Sequence, residues 1–149
     1  EEMLSGYKQN PEDILQRVFK DGIDYDQMIV VKNIPFTSFC EHHMLAFNGI
    51  AHVGYLPRDC VVGLSKIPRV VDVFAKRLQV QERLTDQIAD AIQEFLDPRG
   101  VGVIIEGEHT CMTMRGAKKK GATMVTTALR GSFLQRADHK EEFYRMTTF

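Results

Sequence analysis

The sequence predicts an α+β fold with a mostly antiparallel sheet and two packed helices. One pair of extended segments precedes residue 57, and a second pair follows residue 100. Between them lie two stretches whose apolar residues recur every three or four positions, the spacing of amphipathic helices. The order of hairpin, two helices and hairpin is typical of α+β proteins and not of alternating βαβ chains. The 149 residues, 44% hydrophobic, are enough for one domain with a buried core.

The first helix is predicted over residues 11–19, with Asn10 as its N-cap. Residues 28–40 are rich in β-branched and aromatic side chains and predict a strand that bends at Pro35. Residues 46–56 alternate between apolar and polar positions and predict the partner strand. The two strands are expected to form the first hairpin.

The two central helices are predicted from their apolar spacing. Residues 67–78 form the first pattern, with Pro68 acceptable because it lies in the first turn. Residues 80–95 form the second pattern, and the Asp-Pro-Arg-Gly string at 97–100 ends it. Both apolar stripes are interpreted as core packing.

The second hairpin is predicted from two further segments. Residues 101–106 are a β-branched run, and residues 123–133 alternate between apolar and polar side chains. The glycine- and lysine-rich string at 116–121 is a turn signal between them. A final short helix is predicted over residues 140–146.

Charge and composition exclude several classes of protein. The formal net charge of -1 gives no general attraction to nucleic acid, and no apolar run is long enough to cross a bilayer. Three cysteines without regular spacing do not predict a disulfide framework. We therefore expect a cytoplasmic protein without nucleic-acid or membrane partners. Because the chain starts at Glu1 and not at Met, a fragment or processed form is expected.

Two short clusters concentrate the reactive side chains: Cys40-Glu-His42-His43 and His109-x-Cys111. Thiolate and imidazole are the preferred ligands of zinc. Cys40 and His43 are spaced so that one turn could aim both at one ion, and Cys111 could complete the set from the second hairpin. Spacing alone leaves a structural Cys2His2 site about as plausible as a catalytic one.

The surplus of ligands favours the catalytic interpretation. His42 and His43 are adjacent and are not expected to bind the same ion without strain, so one of them is left for proton transfer. His109 shares a strand face with Cys111 if that segment is extended, and would flank the metal. A zinc-bound water with a pKa of about 7 would be a suitable nucleophile.

Two further groups of residues predict substrate contacts. Ser65, Lys66 and Arg69 open a helix, where free backbone N–H groups already favour an anion such as a phosphate. Gln81 and Glu82 begin the next helix and are residue types that read the polar edge of a purine. A solvated surface is the competing interpretation of each group.

Four strings, SFCEHHM, GLSKIPR, RLQVQERLT and HTCMTMRG, closely resemble the GTP cyclohydrolase I family in order and spacing. The resemblance runs from residue 10 to residue 133. It implies hydrolysis of GTP at guanine carbon 8, with release of formate and formation of 7,8-dihydroneopterin triphosphate, the first step of folate or tetrahydrobiopterin synthesis.

The resemblance also implies roles for particular residues. Cys40, His43 and Cys111 would bind Zn2+, and His42 and His109 would transfer protons next to the metal. The residues implied to contact GTP are Ser65, Lys66, Arg69, Gln81, Glu82 and Arg115. Among them Glu82 would anchor guanine and Gln81 would lie near the ribose. Lys66, Arg69 and Arg115 would hold the triphosphate.

The fold implied by the resemblance is the tunnelling fold, in which five subunits close a barrel and two rings form a homodecamer. Residues 1–149 would form a single catalytic domain, without the N-terminal helical segment of the family. Two other hypotheses remain open at this point. One is a structural zinc domain that binds a purine nucleotide for regulation, and the other is a tunnelling-fold enzyme that acts on a different pterin or deazapurine.

Overall fold

A computed structural model describes residues 2–16, 18–19, 25–110 and 121–148. Its strands are β1 (Val18–Phe19), β2 (Ile29–Cys40), β3 (Ala46–Leu56), β4 (Val61–Val62), β5 (Leu78–Gln79), β6 (Gly100–His109) and β7 (Met124–Gly131). Its helices are a 3-10 helix (Glu2–Lys8), α1 (Pro11–Leu15), α2 (Lys66–Ala75), α3 (Gln81–Leu96), α4 (Ser132–Gln135) and α5 (Ala137–Thr147). The predicted α+β class is confirmed.

The main sheet has five strands in the order β5-β2-β3-β6-β7. Strands β2, β3, β6 and β7 pair with one another in that order, each pair antiparallel, so both predicted hairpins are confirmed. Strand β5 runs parallel to β2 and pairs Leu78 with Phe39 and Gln79 with Cys40. The prediction of a mostly antiparallel sheet is confirmed, and the one parallel pair arises because the chain leaving α2 returns along the edge of β2.

Three predicted elements have different limits. The first helix ends at Leu15, and residues 18–19 pair instead with residues 61–62 as a short antiparallel ladder. The cap is confirmed, because Asn10 Oδ1 accepts a hydrogen bond of 3.0 Å from Glu12 N. Leu78, predicted to extend the α2 stripe, lies in β5, where the backbone pairs with β2. Phe133, predicted as strand, lies in α4.

Strand β2 is irregular at Asn33 and not at Pro35. The register with β3 shifts between Val31 and Ile34, and Asn33 has a positive φ of 59°. Asn33 N donates a 3.0 Å hydrogen bond to His52 Nδ1 across the shift. Pro35 stays within the ladder, opposite Ile50. The bulge is thus stabilised by a side chain of the partner strand, which the sequence of β2 alone does not reveal.

Helices α2 and α3 cover one face of the sheet. Their buried residues pack with inward-facing residues of β2, β3 and β6 in one core: Ile67, Val70, Val71, Leu84, Ile88 and Ile92 against Phe36, Val53, Val103 and Ile105. A smaller cluster joins α4 and α5 to the sheet through Phe133 and Phe143. Within the described residues, no helix is both long and apolar enough to span a membrane.

Candidate active site

The sheet and helix α3 bring three of the predicted site residues, Cys40, Gln81 and His109, to one corner of the domain. Cys40 ends β2, His109 ends β6, and Gln81 begins α3 two residues after β5. Strand β5 fixes the turn that follows Cys40, since Glu41 N donates a 2.8 Å hydrogen bond to Gln79 O. On the other side Phe47 of β3 pairs with His109 of β6. The non-local pairing of the strands therefore assembles the site.

Residues 40–45 form a tight turn, called the ligand turn below. Cys40 O accepts a 2.8 Å hydrogen bond from Met44 N, and Cys40 N donates one of 2.8 Å to Leu45 O. Met44 has a positive φ of 56°, so the turn reverses the chain within a few residues. The Cys40 side chain is buried, whereas His42 and His43 are exposed.

The Cys40 sulfur and His43 Nδ1 lie 3.8 Å apart. Tetrahedral zinc with ordinary Zn–S and Zn–N bond lengths would separate such a pair by about 3.6 Å. The spacing of the two side chains therefore fits a shared ion. Within the part of the chain that the structure describes, no third His, Cys, Asp or Glu joins them as a cluster. The third predicted ligand, Cys111, lies outside the described residues.

The ring of the other histidine of the turn, His42, lies edge-to-face with that of His43, with centroids 6.4 Å apart and an interplanar angle of 82°. The turn is tied to α3 by a bidentate ion pair in which Arg83 donates two hydrogen bonds of 2.7 Å to Glu41. This pair lowers the pKa of Glu41. The sequence did not reveal this ion pair, although Glu41 lies in the string SFCEHHM and Arg83 in the string RLQVQERLT.

His109 occupies a more enclosed place than the turn histidines. Its ring stacks on buried Phe47 with the centroids 4.4 Å apart and the planes within 5°. Its Nε2 lies 2.7 Å from Gln81 Oε1. Burial lowers the pKa of His109, and the negative charge of Glu82 opposes that shift. The carboxylate of Glu82 is therefore close enough to His109 to influence its charge.

Gln81 is almost completely buried, with 1% of its surface exposed. Its amide nitrogen lies 3.2 Å from Ile105 O, 2.8 Å from Met124 O and 3.1 Å from Thr126 Oγ1. A Cβ at Gly107 would stand 2.4 Å from Gln81 Oε1, so a glycine is needed for this close approach. The first residue of α3 is thus bound to both strands of the second hairpin.

These residues can now be compared with known proteins. The model of the family described as GTP cyclohydrolase I matches residues 1–148. The chain belongs to the GTP cyclohydrolase I family. GTP cyclohydrolase 1 of Brucella suis is 52% identical over 143 residues, covering 96% of this chain and 67% of that protein. GTP cyclohydrolase 1 of Chlorobaculum tepidum is 54% identical over 145 residues, covering 97% of this chain and 64% of that protein.

The chain thus spans about two thirds of the length of these curated relatives. The family resemblance read from the four strings is confirmed, as is the prediction of an enzyme of this class. A crystal structure of the archaeosine synthase QueF-Like in the apo form has a TM-score of 0.60 and 18% identity. That match covers 72% of this chain and 97% of the other, and it concerns the fold alone, in agreement with the predicted tunnelling fold.

Three residues predicted to contact GTP lie at the start of α2. Ser65 precedes the helix, has helical dihedral angles and makes no side-chain capping bond. Lys66 is the first helical residue, and Arg69 is exposed one turn later. Arg69 also lines a cavity of about 550 Å3 together with Lys8 and Lys76 of neighbouring elements.

Two predicted site residues, Cys111 and Arg115, lie outside the described residues, as does most of the predicted turn at 116–121. Thr110, the residue before Cys111, is held by a hydrogen bond to β3. Thr110 Oγ1 donates a 2.7 Å hydrogen bond to Ala46 O, directly beyond the ligand turn. Cys111 therefore follows a residue that is held against the first residue of β3.

Proposed function

We propose that this member of the GTP cyclohydrolase I family hydrolyses GTP at guanine carbon 8, releasing formate and forming 7,8-dihydroneopterin triphosphate. The observation that supports this most strongly is the Cys40–His43 pair at 3.8 Å, in a domain that also brings His109 and Gln81 within hydrogen-bond distance of each other. The reaction consumes one water and yields one formate for each GTP. Folate or tetrahydrobiopterin synthesis would use the product.

The metal in this proposal is Zn2+, held by Cys40, His43 and Cys111. The ligand types suit zinc, and the separation of Cys40 and His43 suits a shared tetrahedral ion. Three protein ligands leave one coordination position open, as in catalytic zinc sites. When bound, zinc supplies Lewis-acid activation of water at neutral pH. The burial of Cys40 beside exposed His43 leaves one side of the pair accessible.

Proton transfer is assigned to His42 and His109. Protonation of guanine nitrogen 7 would make carbon 8 more electrophilic, and protons must also reach the nitrogen that leaves when the ring opens. His42 is exposed next to the ligand turn, where it can exchange protons with solvent. His109 is half-buried with a lowered pKa, so its ring favours the neutral form that accepts a proton.

Substrate binding is assigned to two groups of residues. Glu82 would accept hydrogen bonds from the amino edge of guanine, with Gln81 near the ribose. The exposed carboxylate of Glu82 at the start of α3 leaves it available to a ligand. The residues proposed for the triphosphate and the later steps are Ser65, Lys66, Arg69 and Arg115. The first three lie at the N-terminus of α2, where the helix dipole favours an anion.

Assembly into a homodecamer of two pentameric rings is part of the proposal. Strand β7 ends the described sheet on one side. On the other side β5 pairs with β2 only at Phe39 and Cys40, although β2 has 12 residues. Such edges offer backbone hydrogen bonds to a neighbouring subunit, and closing a barrel satisfies them. Thiolate ligands require a reducing compartment, which supports a cytoplasmic location.

The test is the amount of formate released per bound zinc when the purified, assembled protein receives GTP. Stoichiometric formate, with the absorbance of a pterin and loss of both on chelation, is the expected result. Zinc bound at one ion per subunit without formate would contradict the proposed reaction. Tight GTP binding in that case would favour a regulatory nucleotide-binding protein, and turnover of another pterin would favour the altered-substrate hypothesis.

A further inference from the structure

A closed set of hydrogen bonds connects His109 to two threonines to which no sequence pattern assigned a role. The set contains His109, Gln81, Thr126 and Thr85, and is called the threonine lock below. Thr85 lies one turn into α3 and is 1% exposed, while Thr126 is half-buried in β7. Thr126 Oγ1 lies 2.7 Å from Thr85 Oγ1 and 3.1 Å from the Gln81 amide nitrogen.

The orientation of the Gln81 amide follows from its neighbours. Carbonyl oxygens accept hydrogen bonds only, so the group facing Ile105 O and Met124 O must be the NH2 group. The oxygen of the amide therefore faces His109, and an amide oxygen can only accept. It follows that His109 Nε2 carries the proton of their 2.7 Å hydrogen bond.

The hydroxyl protons can be placed in the same way. Thr85 Oγ1 donates a 2.8 Å hydrogen bond to the backbone oxygen of Gln81, which uses its only proton. The bond between the two hydroxyls must then have Thr126 as donor and Thr85 as acceptor. Thr126 is left with lone pairs toward the Gln81 amide. Each hydrogen bond in the threonine lock thus has one permitted direction.

We infer that Thr126, supported by Thr85, is a positioning residue that holds His109 as its Nε2–H tautomer by fixing the Gln81 amide. In a neutral imidazole with a protonated Nε2, the nitrogen that can accept a proton is Nδ1. The stack on Phe47 fixes the plane of the ring, and the threonine lock fixes which nitrogen is bare. This inference rests on the proposed function, in which His109 transfers a proton.

Gln81 can lie near the ribose, as proposed, only without bonding to it through the amide. The amide of Gln81 is buried in the subunit, and its two N–H groups already serve three acceptors. Its contacts identify it as the link between His109 and the second hairpin. Thr126 is the member of the link that can be changed most simply, because it touches neither a proposed metal ligand nor His109 directly.

The first part of the test is kinetic. Thr126→Val keeps the shape of the side chain and removes the hydroxyl, and Thr126→Ser keeps the hydroxyl. Thr127→Val is the matched control, since Thr127 is the next residue of β7 and is exposed. We expect Thr126→Val to lower kcat for formate release about three- to tenfold, the effect of one hydrogen bond, with KM for GTP nearly unchanged. Thr126→Ser and Thr127→Val should stay close to wild type.

The second part reads the tautomer directly, and does not depend on turnover. The 15N spectrum of protein labelled in its histidine rings distinguishes bare from protonated nitrogens, and His109→Asn identifies the signals of His109. We expect an Nε2–H ring in wild type and Thr126→Ser, and a mixture of tautomers in Thr126→Val. Wild-type kcat in Thr126→Val, an equal loss in Thr126→Ser, or an Nδ1–H ring in wild type would overturn the inference. A wild type that does not turn over GTP would count against the proposed function alone.

Discussion

The ligand turn and the threonine lock both present histidines to the same corner, but they are built differently. In the ligand turn, His42 and His43 are exposed, and the contacts are mainly backbone hydrogen bonds within residues 40–45. In the threonine lock, His109 is stacked on a buried ring and bonded through buried Gln81 to a second strand and a helix. The turn is local in sequence, whereas the lock joins three distant segments.

This difference corresponds to the chemistry proposed for each region. A metal ion can itself draw its ligands into place, so the turn needs only the approximate geometry of 3.8 Å between Cys40 and His43. A proton-transfer group has no such external organiser, and its tautomer and orientation must be set by the protein. Site residues therefore differ in how much folded structure each of them requires.

The largest expected effect comes from removing a ligand of the turn. Cys40→Ala should abolish zinc binding and lower formate release by roughly a thousandfold or more, because several kcal/mol of transition-state stabilisation depend on the metal. Cys111→Ala should do the same. Metal analysis and formate assays on the same samples provide the check. Cys60→Ala is the control and should keep its zinc; a full zinc content in Cys40→Ala would remove Cys40 from the ligand set.

The next effect in size concerns the locked histidine. His109→Ala should retain zinc and lose turnover by about 10²–10⁴-fold, the usual contribution of general acid–base catalysis. Because the ligand turn and the threonine lock are built separately, this variant should lose activity without losing metal. If zinc were lost in parallel with activity, His109 would be a ligand and the distinction between the two regions would fail.

A smaller effect is expected outside both regions. Lys66→Ala at the start of α2 should raise KM for GTP about tenfold, since one charge-assisted contact to phosphate would be lost, while zinc content stays the same. Titration with GTP and with guanosine separates the triphosphate contribution from that of the base. Unchanged affinity for GTP would exclude Lys66 from the phosphate site.

The smallest effect is expected from the ion pair that ties the ligand turn to α3. Glu41 and Arg83 are substantially exposed, with 31% and 42% of their side chains accessible, so solvent screens their attraction. Arg83→Met should retain zinc and change kcat less than about threefold. Loss of zinc from this variant would show that the ligand turn, like His109, depends strongly on its contact with α3.

Local parts of the fold could be predicted from the sequence. The two hairpins and helices α2 and α3 follow from apolar periodicity, and the Cys40–His43 pair follows from spacing within one turn. The short parallel strand β5 and the bulge at Asn33 could not be predicted, because each is stabilised by a partner from another element. The early end of α1 at Leu15 has the same cause, since the next segment pairs with β4.

The candidate site divides in the same way. Its reactive residues were found because cysteine and histidine are uncommon and cluster in the sequence. Thr85 and Thr126 could not be found, because threonine at such positions is ordinary in a helix or strand. The bond between Gln81 and His109 depends on where α3 begins relative to the end of β6. The sequence signal of this contact was Gly107, whose missing side chain makes room for Gln81. A lone glycine in a strand does not show which residue approaches it.

The pairing of Phe47 with His109 has a consequence for folding order. The β2–β3 hairpin can form early, since its strands are joined by a short turn. Strand β6 is separated from β3 along the chain by both central helices, so it can pair with β3 only after this long segment has closed. Contacts between residues far apart in the chain form slowly because loop closure costs conformational entropy first. We expect a refolding chain to form its ligand turn before His109 is in place. Because Cys111 follows His109 by two residues, the proposed three-ligand zinc site should be completed only when β6 has paired with β3.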